Sequence, residues 1–178
     1  MSEYRVASRY AKSLIELAKE RGVLEQVKGD IVMFKEAADG SRDLAVMLKS
    51  PIVSHHTKAV ILRKIFGGKV HEMTSLFFDI VCRKNRESVL RSVAEAFLHQ
   101  YNEVKGIQRA KVVSAVPLTS DARAKLEQVI ASMSGKTVEL SESVDESLIG
   151  GYVLTVGDRQ IDDSVKGRLE GLKSALMQ

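Results

Sequence analysis

Ser134-Gly135-Lys136-Thr137 has the residue types that close a phosphate-binding loop, where backbone N–H groups cradle phosphates and a lysine meets their charge. The full pattern needs a second glycine at the position held by Ile130. It also needs a strand before and a helix after, whereas the local patterns here run helix first and strand second. A turn closing a helix accounts for Gly135 without any nucleotide. His55 and His56 are neighbours, so on a helix they point about 100° apart and cannot hold one ion together. His71 and His99 have no Cys, Asp or Glu at ligand spacing apart from Glu72, which points elsewhere. Cys82 is the single cysteine; it sits in an apolar stretch that reads as packing, and it excludes an internal disulfide. Asp158, Asp162 and Asp163 cluster at a turn but lack the spaced ligands and terminal glutamate of a calcium loop. No catalytic residue, metal site or cofactor is expected.

What remains is a chain whose side chains serve contact, and its composition agrees. Of its 178 residues, 44% are hydrophobic and 28% charged, ordinary values for a globular protein. No run approaches the roughly 18 apolar residues of a membrane span. The opening MSEYRVASRYAKS carries frequent charge and no apolar signal core, so a protein of the cytosol or of a membrane's cytosolic face is expected. The net charge of +4 is uneven: residues 1–105 carry 18 Lys+Arg against 13 Asp+Glu, and residues 106–178 carry 9 against 10. A basic half makes a nucleic-acid-binding module the alternative reading. The basic residues are interspersed with acids, though, and aromatics make up only 5%, which leaves no stacking platform for bases.

The elements that must position any contact surface fall into two kinds. Over the first hundred residues the apolar period is helical. Leu24, Val27, Ile31, Phe34 and Ala38 line one face, as do Leu90, Val93, Phe97, Tyr101 and Val104 later. An opening helix runs from about Glu3 to Arg21, DLAVMLK is closed by Ser50-Pro51, and HTKAVILRKIF is capped by Ser54 and stopped by Gly67-Gly68. The fifth helix lies in HEMTSLFFDIVCRKN, with Met73, Leu76, Phe77, Ile80 and Val81 as its regular positions and Phe78 in surplus. The first helix is also over-supplied, with Val6, Ala7, Tyr10, Ala11, Leu14, Ile15, Leu17 and Ala18. Such helices are either central in the bundle or offer a second face to a partner helix, and both can hold at once.

After Lys105-Gly106 the period becomes two. Ala110, Val112, Ser114 and Val116 alternate with Arg109, Lys111 and Val113. A helix capped by Thr119 or Ser120 follows, with a stripe of Ala122, Leu126, Val129 and Met133. KTVELSES is a strand with Val138 and Leu140 on one face, YVLTV and RQID form a hairpin about Gly157-Asp158, and a last helix carries Val165, Leu169, Leu172 and Leu176. The expectation is an α+β chain: a six-helix bundle over 1–105, then a small mixed α/β domain (β-α-β-β-α) over 106–178.

Within this second part, LIGGYVLTVGDRQIDDSVKGRL (148–169) is too particular for a generic hairpin and helix. Paired glycines permit a bulge or close backbone approach before a strand, and Asp163 or Ser164 can cap the helix after it. An apolar residue, Gly-Gly, an apolar strand, Gly-Asp, Ile-Asp and Ser-Val before a basic helix resembles the C-terminal motif of the F-type ATP synthase delta subunit, the family of the oligomycin-sensitivity-conferring protein. Arg9-Tyr10-Ala11, Lys84-x-Arg86 and Ser114-Ala115 with Pro117-Leu118 extend the resemblance over nearly the whole chain. Asp163 departs from it, standing where the family usually has glycine, which leaves the local turn geometry open.

The resemblance implies a non-catalytic stator subunit of the peripheral stalk. Its helical bundle grips N-terminal helices of the alpha subunits, and its C-terminal domain holds the far end of the membrane-anchored b subunits. By position it places Tyr10, Ser13, Leu14, Leu17, Leu76, Ile80 and Arg83 in the alpha-binding groove. Leu169, Leu172 and Leu176 face either the b subunits or the core. It further implies a single copy in a hetero-oligomer, peripheral to the cytoplasmic side of a bacterial inner membrane, with neither nucleic acid nor membrane insertion.

Overall fold

The computed structural model describes residues 3–176. The chain separates into two compact units, residues 1–101 and 102–178.

Unit 1 is helical. Its elements are α1 (Glu3–Glu20), α2 (Leu24–Gly40), α3 (Arg42–Lys49), α4 (His55–Phe66), α5 (Glu72–Arg83), a 3-10 turn (Glu87–Val89) and most of α6 (Leu90–Lys105). The boundaries follow cap chemistry. Ser41 ends α2 and starts α3, its hydroxyl accepting from Leu44 N at 3.3 Å. Ser54 Oγ accepts from Thr57 N at 3.2 Å, as expected for the start of α4. His71 opens α5, its ring Nδ1 accepting from Met73 N at 3.2 Å. Each such bond satisfies a donor that the first helical turn leaves without a partner.

The core of unit 1 is built around three rings. Phe34 of α2, Phe66 of α4 and Phe78 of α5 have centroids 5.0–6.0 Å apart. Val27, Ile31 and Ala38 of α2 and Val93 and Phe97 of α6 are buried with them, as the helical period requires. Val104, the last position of the α6 stripe, is exposed. Two polar devices fasten the elements. The carboxylate of Asp30 on α2 accepts from His71 N at 2.8 Å and from Thr74 Oγ1 at 2.6 Å, holding the start of α5. Lys58 of α4 is buried and donates to Glu87 Oε1 at 2.7 Å and to the carbonyl of Leu48 at 3.0 Å.

Unit 2 holds a four-stranded sheet in the order β2-β1-β3-β4: β1 (Ile107–Ser114), β2 (Thr137–Val144), β3 (Tyr152–Val156) and β4 (Arg159–Asp162). β1 pairs parallel with β2 through the crossover helix α7 (Ser120–Ser134) and antiparallel with β3. The hairpin β3–β4 turns at Gly157, and α8 (Val165–Leu176) follows. Ala110 and Val112 of β1, Ile130 of α7, Leu140 of β2 and Leu154 of β3 make the core. The inward face of β1 is Ala110, Val112 and Ser114 as the alternation predicts, but Val116 lies past the strand end and is exposed. The α7 stripe is also shifted. Val129 is exposed and Ile130 fully buried, so the inward positions are spaced by four through Leu126 and Ile130. The Met133 side chain lies outside the described residues.

Candidate functional site

Two apolar surfaces stand out, one in each unit. In unit 1, α1 and α5 border a groove of about 670 Å³ lined by Tyr10, Ser13, Leu14, Leu17, Arg21, Val23, His71, Glu72, Met73, Leu76, Phe77 and Ile80. The faces of the two helices explain how it forms. α1 turns Val6, Ala7, Ala11, Ile15 and Ala18 into the core, which leaves Tyr10 half-buried and Leu17 exposed on the other side. α5 buries Thr74, Phe78, Val81 and Cys82.

The division of α5 corrects the sequence reading. Phe78, counted there as surplus, is the core residue, whereas Met73, Leu76, Phe77 and Ile80 form the outer face. Adjacent residues on a helix point about 100° apart, so Phe77 and Phe78 must go to different environments. Phe77 meets Tyr10 edge to face, with centroids 6.3 Å apart and planes at 73°. Leu76 and Ile80 are 53% and 48% exposed, a large apolar surface for one amphipathic helix. Ser13 Oγ donates to the carbonyl of Arg9 at 3.1 Å, so its polarity is satisfied within α1.

Six of the seven expected groove residues, Tyr10, Ser13, Leu14, Leu17, Leu76 and Ile80, are therefore brought together. Leu14 lies at the floor and is nearly inaccessible. Arg83 is exposed at the last residue of α5 and is not among the lining residues. Sequence reasoning missed Arg21, His71, Glu72, Met73 and Phe77 as lining. The adjacent phenylalanines were the signal that would have found Phe77.

Cys82 points the opposite way, into the bundle, and burial with the nearby Glu87 charge pushes its thiol up to about 11. A thiol so placed is a packing group, since only the thiolate is a nucleophile. His55 and His56 are exposed at the start of α4. Among the described residues no group of three His, Cys, Asp or Glu side chains is arranged to hold a metal ion, and no helix is long and apolar enough to cross a membrane.

In unit 2 the second surface runs along α8. Val165, Leu169 and Leu172 are all exposed, Leu172 at 62%, so this part of the stripe is not core of unit 2. The side chain of Leu176 lies outside the described residues. The segment leading into α8 is built from tight backbone contacts. Gly151 has φ +75°, and a Cβ there would stand 2.2 Å from the carbonyl oxygen of Asp163. A Cβ on Gly167 would meet the Asp162 carboxylate at 2.8 Å, whereas Gly171 has open space. Ser164 caps α8, its hydroxyl accepting from Gly167 N at 3.0 Å while donating to Asp162 Oδ1 at 2.6 Å. The Ser164 hydroxyl and N–H beside Asp162 hold that carboxyl below its usual range. Asp163 needs no glycine conformation, and its carboxylate instead pairs with Arg168.

Residues 6–176 match the family model described as ATP synthase delta (OSCP) subunit. The chain belongs to this family. ATP synthase subunit delta of Cytophaga hutchinsonii is 41% identical over 98% of this chain and 95% of its own length. That of Chlorobium phaeobacteroides is 40% identical over 99% and 98%. The fold agrees with a chain in the cryo-EM structure of the Toxoplasma gondii mitochondrial ATP synthase hexamer, with a TM-score of 0.73 and 27% identity over 97% of each chain. As a delta (OSCP) subunit the protein is a non-catalytic component of the peripheral stalk of an F-type ATP synthase, the complex that couples proton transport to ATP synthesis. The 148–169 stretch of this delta subunit thus acts first in folding: its glycines and its Asp162–Ser164 pair set the start of α8.

Proposed function

We propose that the two surfaces hold the two ends of a stator. The α1–α5 groove takes an amphipathic helix from the N terminus of an alpha subunit of the catalytic head. The α8 face takes the membrane-anchored b subunits. On this reading residues 1–105 serve the head and residues 106–178 the stalk, with one copy per complex, peripheral to the cytoplasmic side of a bacterial inner membrane. The observation that carries it is the groove itself, with Leu17, Leu76 and Ile80 exposed around the Tyr10–Phe77 contact. A helix laid there buries one apolar face, and slow dissociation from such a groove suits a joint under torque.

The test is calorimetric titration of the chain with an alpha N-terminal peptide. Tyr10→Ala is expected to weaken binding about tenfold, the scale of an interface anchor, while the helical circular dichroism stays unchanged. Unchanged affinity removes Tyr10 from the contact. Pull-down from solubilised membranes tests the whole reading: recovery of alpha and b subunits supports it, and recovery of neither overturns it.

A further inference from the structure

Ile149 has a backbone that the folding of unit 2 does not account for. Two described non-glycine residues have positive φ, Asn85 and Ile149. Asparagine tolerates that region, whereas a β-branched side chain clashes with its own backbone there. Ile149 has φ 66° and ψ −38°, close to the rare and strained γ-turn geometry.

The conformation is imposed from both sides. Upstream, Asp145 N donates to the Ser114 carbonyl at 2.9 Å, Asp145 Oδ1 accepts from Ser147 N at 2.9 Å, and Ile149 N donates to the Glu146 carbonyl at 3.1 Å. Downstream, the Gly150 carbonyl accepts from Val165 N at 3.0 Å and the Gly151 carbonyl from Ala115 N at 3.3 Å. Whatever residue stands at 149 must take positive φ. Glycine or asparagine would do so at little cost. Isoleucine stands there with 69% of its surface exposed, so its side chain adds little to the core that its backbone strains.

Strain that persists because its surroundings dictate it is concentrated at functional positions. The neighbourhood indicates which function. Gly150 lies against Val165, whose side chain would be 3.0 Å from any Cβ on that glycine, and Val165 begins the exposed stripe that continues through Leu169 and Leu172. We propose that Ile149 is an anchor side chain extending this stripe, kept for partner binding at the expense of the stability of unit 2. The inference rests on the reading that α8 meets the stalk. Its occupant is one amphipathic helix of the b subunits, packed along α8 with its apolar face on Val165, Leu169 and Leu172 and its edge against Ile149. The described part of α8 carries Lys166, Arg168 and Lys173 against Glu170, which fits a helix with acidic residues bordering that face.

The experiment uses the full chain and b subunits made without their membrane anchor. Ile149→Asn is expected to leave the thermal midpoint unchanged or raise it by a few degrees, and to lower affinity about tenfold. A midpoint lowered by several degrees would make Ile149 a packing residue and overturn the inference. Affinity within about twofold of the parent would overturn it too. Leu172→Ala separates the two levels. If it weakens binding while Ile149→Asn does not, the stripe reading stands and the anchor falls. If the parent chain does not bind the b subunits at all, the stripe reading falls, and the anchor with it.

Discussion

The two units reach stability by different means. Unit 1 stacks Phe34, Phe66 and Phe78 and buries whole aliphatic faces of α1, α2 and α6. Each such side chain contributes roughly 1.5–3 kcal/mol by leaving water. Unit 2 has a thinner core of Ala110, Val112, Ile130, Leu140 and Leu154, and relies on backbone brought within contact distance at Gly151 and on the Asp162–Ser164 turn. A unit with a deep core can leave an outer cleft open without losing its fold. A unit closed by its backbone can leave aliphatic side chains facing outward. The contrast explains why one surface is a groove and the other a stripe.

The contrast can be broken most severely at Phe34. Phe34→Ala is expected to cost unit 1 about 3–5 kcal/mol, because three rings lose a shared neighbour. Urea unfolding followed by helical circular dichroism measures the loss, and amide exchange in β1 is expected to be unaffected. Gly151→Ala is the corresponding lesion in unit 2, at about 2–3 kcal/mol, since the new methyl meets the carbonyl of Asp163 in a conformation alanine disfavours. Exchange of the β3 amides should accelerate while the bundle keeps its protection; loss below about 1 kcal/mol would mean that the loop yields. Ser164→Ala is smaller, about 1–2 kcal/mol, because it removes one cap and one bond to Asp162.

The smallest effect is in acid. The folded pKa of Asp162 lies below the ordinary value of 3.8, so its stabilisation is fully present above that value and is lost as pH falls through the folded pKa. Asp162→Asn is therefore expected to reduce the acid sensitivity of unit 2 below about pH 4, leaving the share due to Asp145, which is lowered by Ser147 in the same way. An unchanged slope in acid titration of β-sheet exchange would sink this assignment.

Much of this contrast was legible in the residues. The change of period after Gly106 separates helices from strands, Ser54 and Ser50-Pro51 set helix ends where bonds form, and Gly135 closes α7 at φ +64°. Where the reading erred, two faces of one helix competed. In α5 both sides are apolar, so periodicity identified two faces but not which one turned inward, and Phe78 was placed outside the regular stripe. In α7 the neighbours Val129 and Ile130 offer two stripes of nearly equal quality, and only packing against β1 and β2 chooses Ile130. Contacts between distant residues left no local trace: neither Asp30 at the start of α5 nor Lys58 with Glu87 has a periodic signature. The groove was partly visible as an excess of apolar positions on α1, but its polar rim of Arg21, His71 and Glu72 required the fold.

The strand order has a mechanical consequence. The chain leaves α6 through Gly106 and enters β1, whose residues Ile107–Ser114 are matched one for one with Thr137–Val144 on one side, while Ala110–Ser114 meet Tyr152–Val156 on the other. Tension passed along the backbone at Gly106 thus arrives in the middle of a sheet. Pulling β1 free requires two rows of hydrogen bonds to shear, where an edge strand such as β4 would peel from one row alone. The linker is moored at the most tear-resistant strand available.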